Sequence, residues 1–231
     1  MMLNGYSVQI ITGLVTTLEI ALASLVMAAS IGFCAALMAL STTPVFRWLT
    51  TCYSSLIRGI PDMLLMLMLF FGGQIALNNV VEWAGWNIEI ELSQFTAGFV
   101  TLGVIYGAYF METFRGALLA IPPGQAEAAR AFGMSIVKIN TRILFPQMIR
   151  FALPGFTNNW LVVSKATALV SVIGLQDMMY RAKQAGAASR EPFTWLLFTG
   201  AIYLVITTVS LYLLKHVGRK YSVGVRYGSH V

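Results

Sequence analysis

The residue with the clearest chemical potential in this sequence is Lys165, near the middle of the apolar stretch 153–175. A helix rises 1.5 Å per residue, so this stretch would place the ammonium group close to the midplane of a lipid bilayer. A charge at that depth is costly and indicates a functional role. It can orient a substrate carboxylate, or it can neutralise a buried acid such as Glu112. Arg115, three residues after Glu112, offers that acid a local ion pair instead.

Hydroxyl and amide side chains accompany the lysine on the same predicted helix. Thr157, Ser164, Thr167 and Ser171 recur at spacings of seven, three and four residues, which places them on one face. Such a polar stripe is typical either of a wet translocation path or of close helix packing through small hydroxyl residues. We predict a translocation path, and its candidate residues are Asn158, Ser164, Lys165, Thr167, Ser171 and Glu112.

The sequence lacks the motifs of the common catalytic and metal sites. It has no G-x-x-x-x-G-K-[ST] phosphate-binding loop, no H-E-x-x-H and no C-x-x-C. Its two cysteines, Cys34 and Cys52, lie in no metal-ligand spacing, and its two histidines, His216 and His230, lie in a basic tail. We therefore predict a chain that is not an enzyme and that binds no metal or cofactor of its own.

The composition is that of an integral membrane protein. Of 231 residues, 58% are hydrophobic and 10% are charged, against about 25% charged in soluble domains. The five apolar stretches that are long enough to cross a bilayer as helices are 13–40, 53–77, 95–118, 153–175 and 193–214. The predicted fold class is thus an all-α, multi-pass membrane protein forming one domain, 1–231.

Glu19 and Asp62 fall near span ends, where headgroups can solvate them. Gly103 and Gly107 form a G-x-x-x-G pair, which predicts close packing against another helix.

The basic residues are distributed unevenly between the two sets of loops. Eleven of the 15 lysines and arginines fall in the set that includes 119–151 and the C-terminus, three fall in the other set, and Lys165 lies inside a span. Because basic loops stay in the cytosol, we predict an outside N-terminus and a cytosolic C-terminus. The net charge of +6 then reflects topology, and we predict no nucleic-acid partner.

The longest predicted connection, about 119–151, has the pattern of a docking element. Pro122 and Pro123 open it, a helix-forming run follows, and Gly133 provides a C-terminal stop. A second helical stretch, 135–144, is predicted to end before Pro146. Two short amphipathic helices between spans indicate a surface that binds a partner protein. The alternative is a helical hairpin lying on the membrane.

The same loop carries a spaced motif. Residues 127–133 read E-A-A-R-A-F-G and, after nine residues, 143–146 read I-L-F-P. The segment resembles the E-A-A-x-x-x-G-(nine)-I-x-L-P loop of permease subunits of ATP-binding-cassette importers, with Phe145 in place of the usual leucine. At 165–169 the chain reads K-A-T-A-L, where many relatives read K-D-T-S-L. Further segments similar to the polar-amino-acid branch of that family are 58–61 (R-G-I-P), 112–116 (E-T-F-R-G), 159–160 (N-W), 191–193 (E-P-F) and 221–225 (Y-S-V-G-V).

The resemblance implies a type I importer permease fold whose loop contains a coupling helix for a cytosolic ATPase. The motif assigns that coupling role to Glu127, Ala128, Ala129, Gly133 and Pro146. ATP and Mg²⁺ would bind to the partner ATPase, present in two copies, and not to this chain. A second, related permease or a second copy of this chain would complete the pore. A periplasmic amino-acid-binding protein would deliver the substrate.

The sequence thus predicts a permease subunit in the bacterial inner membrane for polar amino acids. The resemblance favours basic ones, of the histidine, arginine, lysine and ornithine class or the opine class. An ion-coupled secondary transporter, with Lys165 and Glu112 as the charge-carrying pair, is the main alternative. That class usually shows an internal repeat, which is not evident here, and it leaves the spaced loop motif unexplained. A membrane enzyme is disfavoured by the missing catalytic motifs.

Overall fold

The computed structural model describes residues 3–86 and 88–221, and this part of the chain contains helices and no strands. The α-helices are α1 Leu3–Ala39, α2 Pro44–Gly59, α3 Asp62–Trp83, α4 Gln94–Leu119, α5 Gly124–Ala131, α6 Ile136–Ile139, α7 Phe145–Ala166, α8 Met178–Ser189 and α9 Pro192–Tyr221. A π-helical turn, Asn140–Leu144, joins α6 to α7, and a 3-10 segment, Thr167–Ile173, extends α7. Residues 222–225, the end of the C-terminal resemblance, lie outside the described residues, as do Arg226 and His230.

Four of the described helices, α1, α3, α4 and α9, are long and apolar enough to cross a membrane. The run Ile136–Ile173 and α8 meet at an angle of 55° and count as a fifth candidate when they are taken together as one bent span. The described residues thus contain four to five candidate spans, which agrees with the prediction of about five, although several boundaries differ. We call the end of the bundle that carries α5 the loop end, and the opposite end, which carries α8, the α8 end.

The core of the bundle is the packing of α1 against α4, which run in the same direction. A Cβ atom at Gly103 would lie 2.7 Å from the side chain of Met27, and one at Gly107 would lie 2.8 Å from that of Ile31. Only glycine permits so close an approach of the two helices. The close packing predicted from the G-x-x-x-G pair is confirmed, and the partner helix belongs to the same chain.

The second predicted span, 53–77, is corrected by a break at Ile60 and Pro61. Pro61 has no amide hydrogen to donate, and proline disfavours helical geometry in the residue before it. Ile60 is accordingly extended, with φ −114° and ψ 140°. α2 therefore ends at Gly59, and α3 begins afresh at Asp62. The chain enters the bundle as an amphipathic helix and continues as an apolar one.

The predicted helix end before Pro146 is wrong. α6, the π turn and α7 follow one another without interruption across this proline. A π turn widens the helix by one residue per turn. The wider turn displaces the carbonyl that the proline ring would otherwise meet, so the helix continues through Pro146. The connection between the third and fourth spans is shorter than the predicted 119–151 as a result.

The connection between the predicted spans 153–175 and 193–214 contains a helix at the α8 end. Gly174, with φ +90°, ends the 3-10 segment, and the buried Asp177 caps α8 by accepting a hydrogen bond from the amide of Tyr180 at 2.8 Å. Ala182 and Ala185 pack in a small apolar cluster with residues of α1 and α9. This end of the bundle is therefore a packed unit, joined to α1 and α9.

Candidate functional site

The break between α2 and α3 places Asp62 at mid-depth in the bundle. Tyr106, near the middle of α4, donates a hydrogen bond to Oδ2 of Asp62 at 2.8 Å. Further along α3, the side chain of Gln74 accepts a hydrogen bond from the amide of Leu92, just before α4 begins. The twelve residues from 62 to 74 therefore put Asp62 about 18 Å below that end of α4. Asp62 is also the first residue of the candidate span α3, so its solvation by headgroups stays a prediction.

Glu112 lies on α4 nearer the loop end, in a cluster of charges. Arg115 donates from Nε and Nη2 to its Oε2 at 3.1 and 2.8 Å, so the local ion pair offered by the sequence is present. From α2, Arg58 Nη1 lies 4.0 Å from Oε1, and the Ser54 hydroxyl donates to Oε1 at 3.4 Å. Within the described residues, Lys165 forms no ion pair with Glu112.

Arg58, Asp62, Tyr109 and Glu112 form one surface, which we call the polar face. The Arg58 guanidinium lies 5.7 Å from the centroid of the Tyr109 ring. The side chains of Arg58 and Glu112 are 48% and 31% exposed, and a cleft of about 390 Å³ opens beside them between α2 and α4. Exposed charges at membrane depth are unstable against lipid. Within the bundle, the polar face is thus an exposed, charged surface next to apolar helices.

The structure separates the candidate path residues of α7 into two groups. Ser164, Thr167 and Ser171 are buried inside the protomer, and each hydroxyl donates to a backbone carbonyl three residues earlier, at 2.8 to 3.2 Å. Such internal bonds satisfy the hydroxyls without a ligand. Asn158 and Lys165 lie on the exposed side of the same stretch. Only these two are placed to face a path without rearrangement of the protomer.

Two positions have contacts that the sequence reasoning did not predict. Asn159, buried next to Asn158, donates from Nδ2 to Thr113 Oγ1 at 3.0 Å and so ties α7 to α4 beside Glu112. Its signals in the sequence were the amide adjacent to Asn158 and the family-like segment 159–160. The contact of Asp62 with Tyr106 was missed because Asp62 was treated as the end of a continuous span, although the preceding Ile-Pro pair signals a break.

The helix α5 has the C-terminal stop that the sequence predicts. Gly133 has φ +73°, and its amide donates to the carbonyl of Arg130 at 2.9 Å. The amide of Met134 donates to the carbonyl of Ala129 at 3.1 Å. This pair of bonds is the Schellman motif, which needs a left-handed residue at its turn. Glycine adopts that conformation without a Cβ penalty, so the role of Gly133 as a helix stop is confirmed.

The remaining residues of the predicted coupling set are distributed between exposed and buried positions. Glu127 and Ala128 lie exposed on α5. Ala129 is only 5% exposed, where α5 packs on α6 and the π turn. Pro146 lies in the first turn of α7, away from α5 in the helical run. Glu127 and Ala128 therefore offer their side chains to a partner on α5 itself, and Pro146 is exposed at the start of α7.

Three large apolar side chains extend this exposed area. Phe132, Ile136 and Val137 are 88%, 64% and 66% exposed. Together with Glu127 and Ala128 they form what we call the loop surface. Their signal in the sequence was a short apolar pattern on both sides of Gly133, within the two amphipathic helices that predicted a partner-binding surface. Apolar side chains this exposed indicate a site of protein contact.

Comparison with known proteins accounts for both surfaces together. The family described as the binding-protein-dependent transport system inner membrane component matches residues 31–223, which include the polar face and α5. The chain belongs to this family. It is an inner-membrane permease of the ATP-binding-cassette type. Membership in this family explains the loop motif. The alternative of an ion-coupled secondary transporter leaves the same motif unexplained.

Curated relatives match the permease over most of its length. The histidine/lysine/arginine/ornithine transport system permease protein of Escherichia coli (strain K12) is 48% identical over 225 residues, covering 97% of this chain and 98% of the relative. The octopine transport system permease protein of Rhizobium radiobacter is 35% identical over 207 residues, covering 90% and 87%. The arginine transporter permease protein of E. coli is 38% identical over 182 residues, covering 74% and 76%.

Solved structures show the same architecture. A chain from a crystal structure of an amino acid ABC transporter with histidines superposes with a TM-score of 0.78 at 29% identity, covering 94% of the permease and 96% of that chain. A chain of an inward-facing methionine transporter superposes at 0.73 with 18% identity, covering 92% and 96%. The type I importer permease fold is therefore confirmed for the described residues.

Proposed function

We propose that the permease forms half of the translocation path of an importer for basic amino acids or opines. The observation that carries the substrate class is the similarity over 97% of the chain to a permease for histidine, lysine, arginine and ornithine. The chemistry of the polar face agrees with it. Asp62 is a carboxylate at mid-depth, oriented by the Tyr106 hydroxyl. A guanidinium or ammonium group is the natural partner of such an acid.

A second permease covers the polar face in this proposal. Arg58 and Glu112 are half exposed at a depth where lipid would surround them in a lone protomer. A facing subunit would enclose a wet path between the two chains and remove the charges from lipid contact. Asn158 and Lys165 lie exposed on α7, and we place them on the same path. The partner is a related permease or a second copy of this chain.

Energy for transport comes from a separate ATPase that docks on the loop surface. The exposed Phe132, Ile136 and Val137 supply apolar contact area, and Glu127 supplies a charge for a basic residue of the ATPase. Two ATPase copies, one for each permease, bind ATP and Mg²⁺. Closure of the ATPase pair around ATP would move the loop surfaces and change the side of the membrane to which the path is open.

The loop end lies in the cytosol, and the α8 end faces the periplasm. The loop end contains most of the basic residues, as the positive-inside rule requires for the cytosolic side. The α8 end presents a packed, helical surface on which a periplasmic amino-acid-binding protein can dock. The N-terminus is then periplasmic, and the permease itself performs no catalysis.

Reconstitution tests the proposal directly. The permease would be placed in liposomes with its partner permease and ATPase, with the binding protein outside and ATP inside, and uptake of radiolabelled arginine, histidine and glutamate would be compared. We expect ATP-dependent uptake of the two basic substrates and none of glutamate. Uptake that proceeds equally well without ATPase would overturn the importer assignment, and preferential glutamate uptake would overturn the substrate class.

A further inference from the structure

A second polar site lies at the loop end of the bundle, between α7 and α9. Arg150 on α7 and Lys215 and Arg219 on α9 line a cleft of about 690 Å³ at the loop end. None of these three cations has an acidic partner within the described residues, and no Asp or Glu lines the cleft. Three unpaired positive charges that converge on one cleft indicate an anionic ligand.

An apolar groove continues directly from this cleft. It has a volume of about 530 Å³ and lies between α1, α7 and α9. Aromatic and aliphatic side chains line it, among them Phe33, Phe145, Ile149 and Val217. The cleft and the groove share Leu153 and Leu214, so they form one continuous site with a charged and an apolar part.

We propose that this site binds an anionic phospholipid of the leaflet at the loop end. The three cations hold the phosphate headgroup, and the groove holds an acyl chain. Basic pockets between membrane helices bind such headgroups, and the charge of the cleft complements them. Neither the cleft nor the groove shares a lining residue with the cleft of the polar face.

The groove separates α9 from α1 and part of α7. A lipid bound in it would contact all three helices and so hold them together. α7 continues into the π turn and α6, against which α5 packs. A lipid seated here therefore stabilises the helix that carries the loop surface. This inference requires only that the chain lies in the membrane, so it stands or falls independently of the substrate proposal.

The test uses the whole transporter complex in mild detergent and native mass spectrometry with phosphatidylglycerol and phosphatidylethanolamine. We expect the wild type to retain phosphatidylglycerol preferentially. Lys215→Gln with Arg219→Gln should weaken that retention about thirtyfold, on the scale of basic residues near anionic lipid. The control pair, Arg181→Gln with Arg190→Gln, removes the same charge at the α8 end and should retain the lipid.

A separate arm probes the apolar part of the site. Ser30 lies exposed at the groove, and Ser30→Trp should fill it and displace the lipid while the three cations remain. Inorganic phosphate added in excess should not displace the lipid, because the groove contributes to its binding. Equal retention by both double variants, preferential retention of phosphatidylethanolamine, or displacement by phosphate alone would overturn the proposal. A disulfide between a cysteine engineered at the groove and one in the second permease would also overturn the proposal, because that subunit would then occupy the site.

Discussion

At the scale of single residues, the hydrogen bond between Tyr106 and Asp62 is the contact with the clearest functional consequence. Tyr106→Phe removes the hydroxyl that orients the carboxylate and keeps the buried ring. We expect slower uptake of basic amino acids with little loss of assembly. Tyr53→Phe is the matched control, because it removes another phenol hydrogen bond, to the carbonyl of Val104. Each change should cost about 1 kcal/mol of stability, so equal uptake by both variants would contradict the role of Asp62.

Lys165 allows a second test at this scale. It is exposed on the protomer and has no acidic partner within the described residues, while Glu112 is paired with Arg115. We therefore expect Lys165→Met to assemble, to keep basal ATP hydrolysis and to lose transport. Assembly would be measured by copurification of the complex, and transport by uptake into liposomes. Loss of assembly would instead assign Lys165 to an ion pair with the second permease, since breaking a buried pair costs about 3–5 kcal/mol.

At the scale of elements, the C-terminal stop of α5 determines how the loop surface is presented. A Cβ at Gly133 would meet open space, so a substitution there acts through the backbone at φ +73°. Gly133→Val should cost about 1–2 kcal/mol locally and weaken ATPase association. Gly133→Asn should retain most of the ATPase association, because asparagine tolerates the left-handed region. Copurification measures the ATPase association of both variants. An equal loss of association in the two variants would contradict the backbone explanation.

The charge on α5 can be tested without changing the backbone. Glu127 is exposed, and Glu127→Lys reverses its charge on the loop surface. We expect normal insertion and reduced ATPase binding and transport. Gln125→Lys, also exposed on α5, introduces the same side chain without removing an acid and is the matched control. Full transport by the Glu127→Lys variant would contradict the coupling role of this residue.

The rotation of α7 is testable by cysteine scanning. The buried hydroxyl residues donate to their own helix, whereas positions 158, 162 and 165 lie on the exposed side. Cysteines at these three positions should react with small hydrophilic thiol reagents, and cysteines at 164, 167 and 171 should be protected. The rate of labelling in the assembled complex is the measurement. Faster labelling at the second group would restore the hydroxyl stripe as the path.

At the scale of the whole molecule, the orientation in the membrane makes a direct prediction. Gln125 and Glu89 are both exposed, at opposite ends of the bundle. A cysteine at 125 should react with a membrane-impermeant reagent only from the cytosolic side, and one at 89 only from the periplasmic side. Labelling of intact spheroplasts and of inverted vesicles distinguishes the two. The reversed pattern would overturn the orientation and, with it, the placement of the ATPase.

The sequence by itself determined the features that depend on local chemistry. The apolar stretches predicted the spans, since lipid leaves a backbone no partner outside a helix. The prolines and Gly133 predicted the limits of α5, because proline and a left-handed glycine act on their immediate neighbours. The spaced loop motif identified the family, because each of its positions belongs to one short segment. The Glu112–Arg115 ion pair was also predictable from the sequence, because its two residues are one helical turn apart.

The tertiary structure alone decided which polar residues meet and which side of each helix is exposed. A periodic stripe on α7 marks a common face but does not determine its direction, so the hydroxyls of Ser164 and Thr167 proved to be buried. Asp62 reached mid-depth because the break at Pro61 and the packing of α3 on α4 act together. The polar face joins residues on three separate helices, and such long-range placement depends on packing that no local pattern encodes.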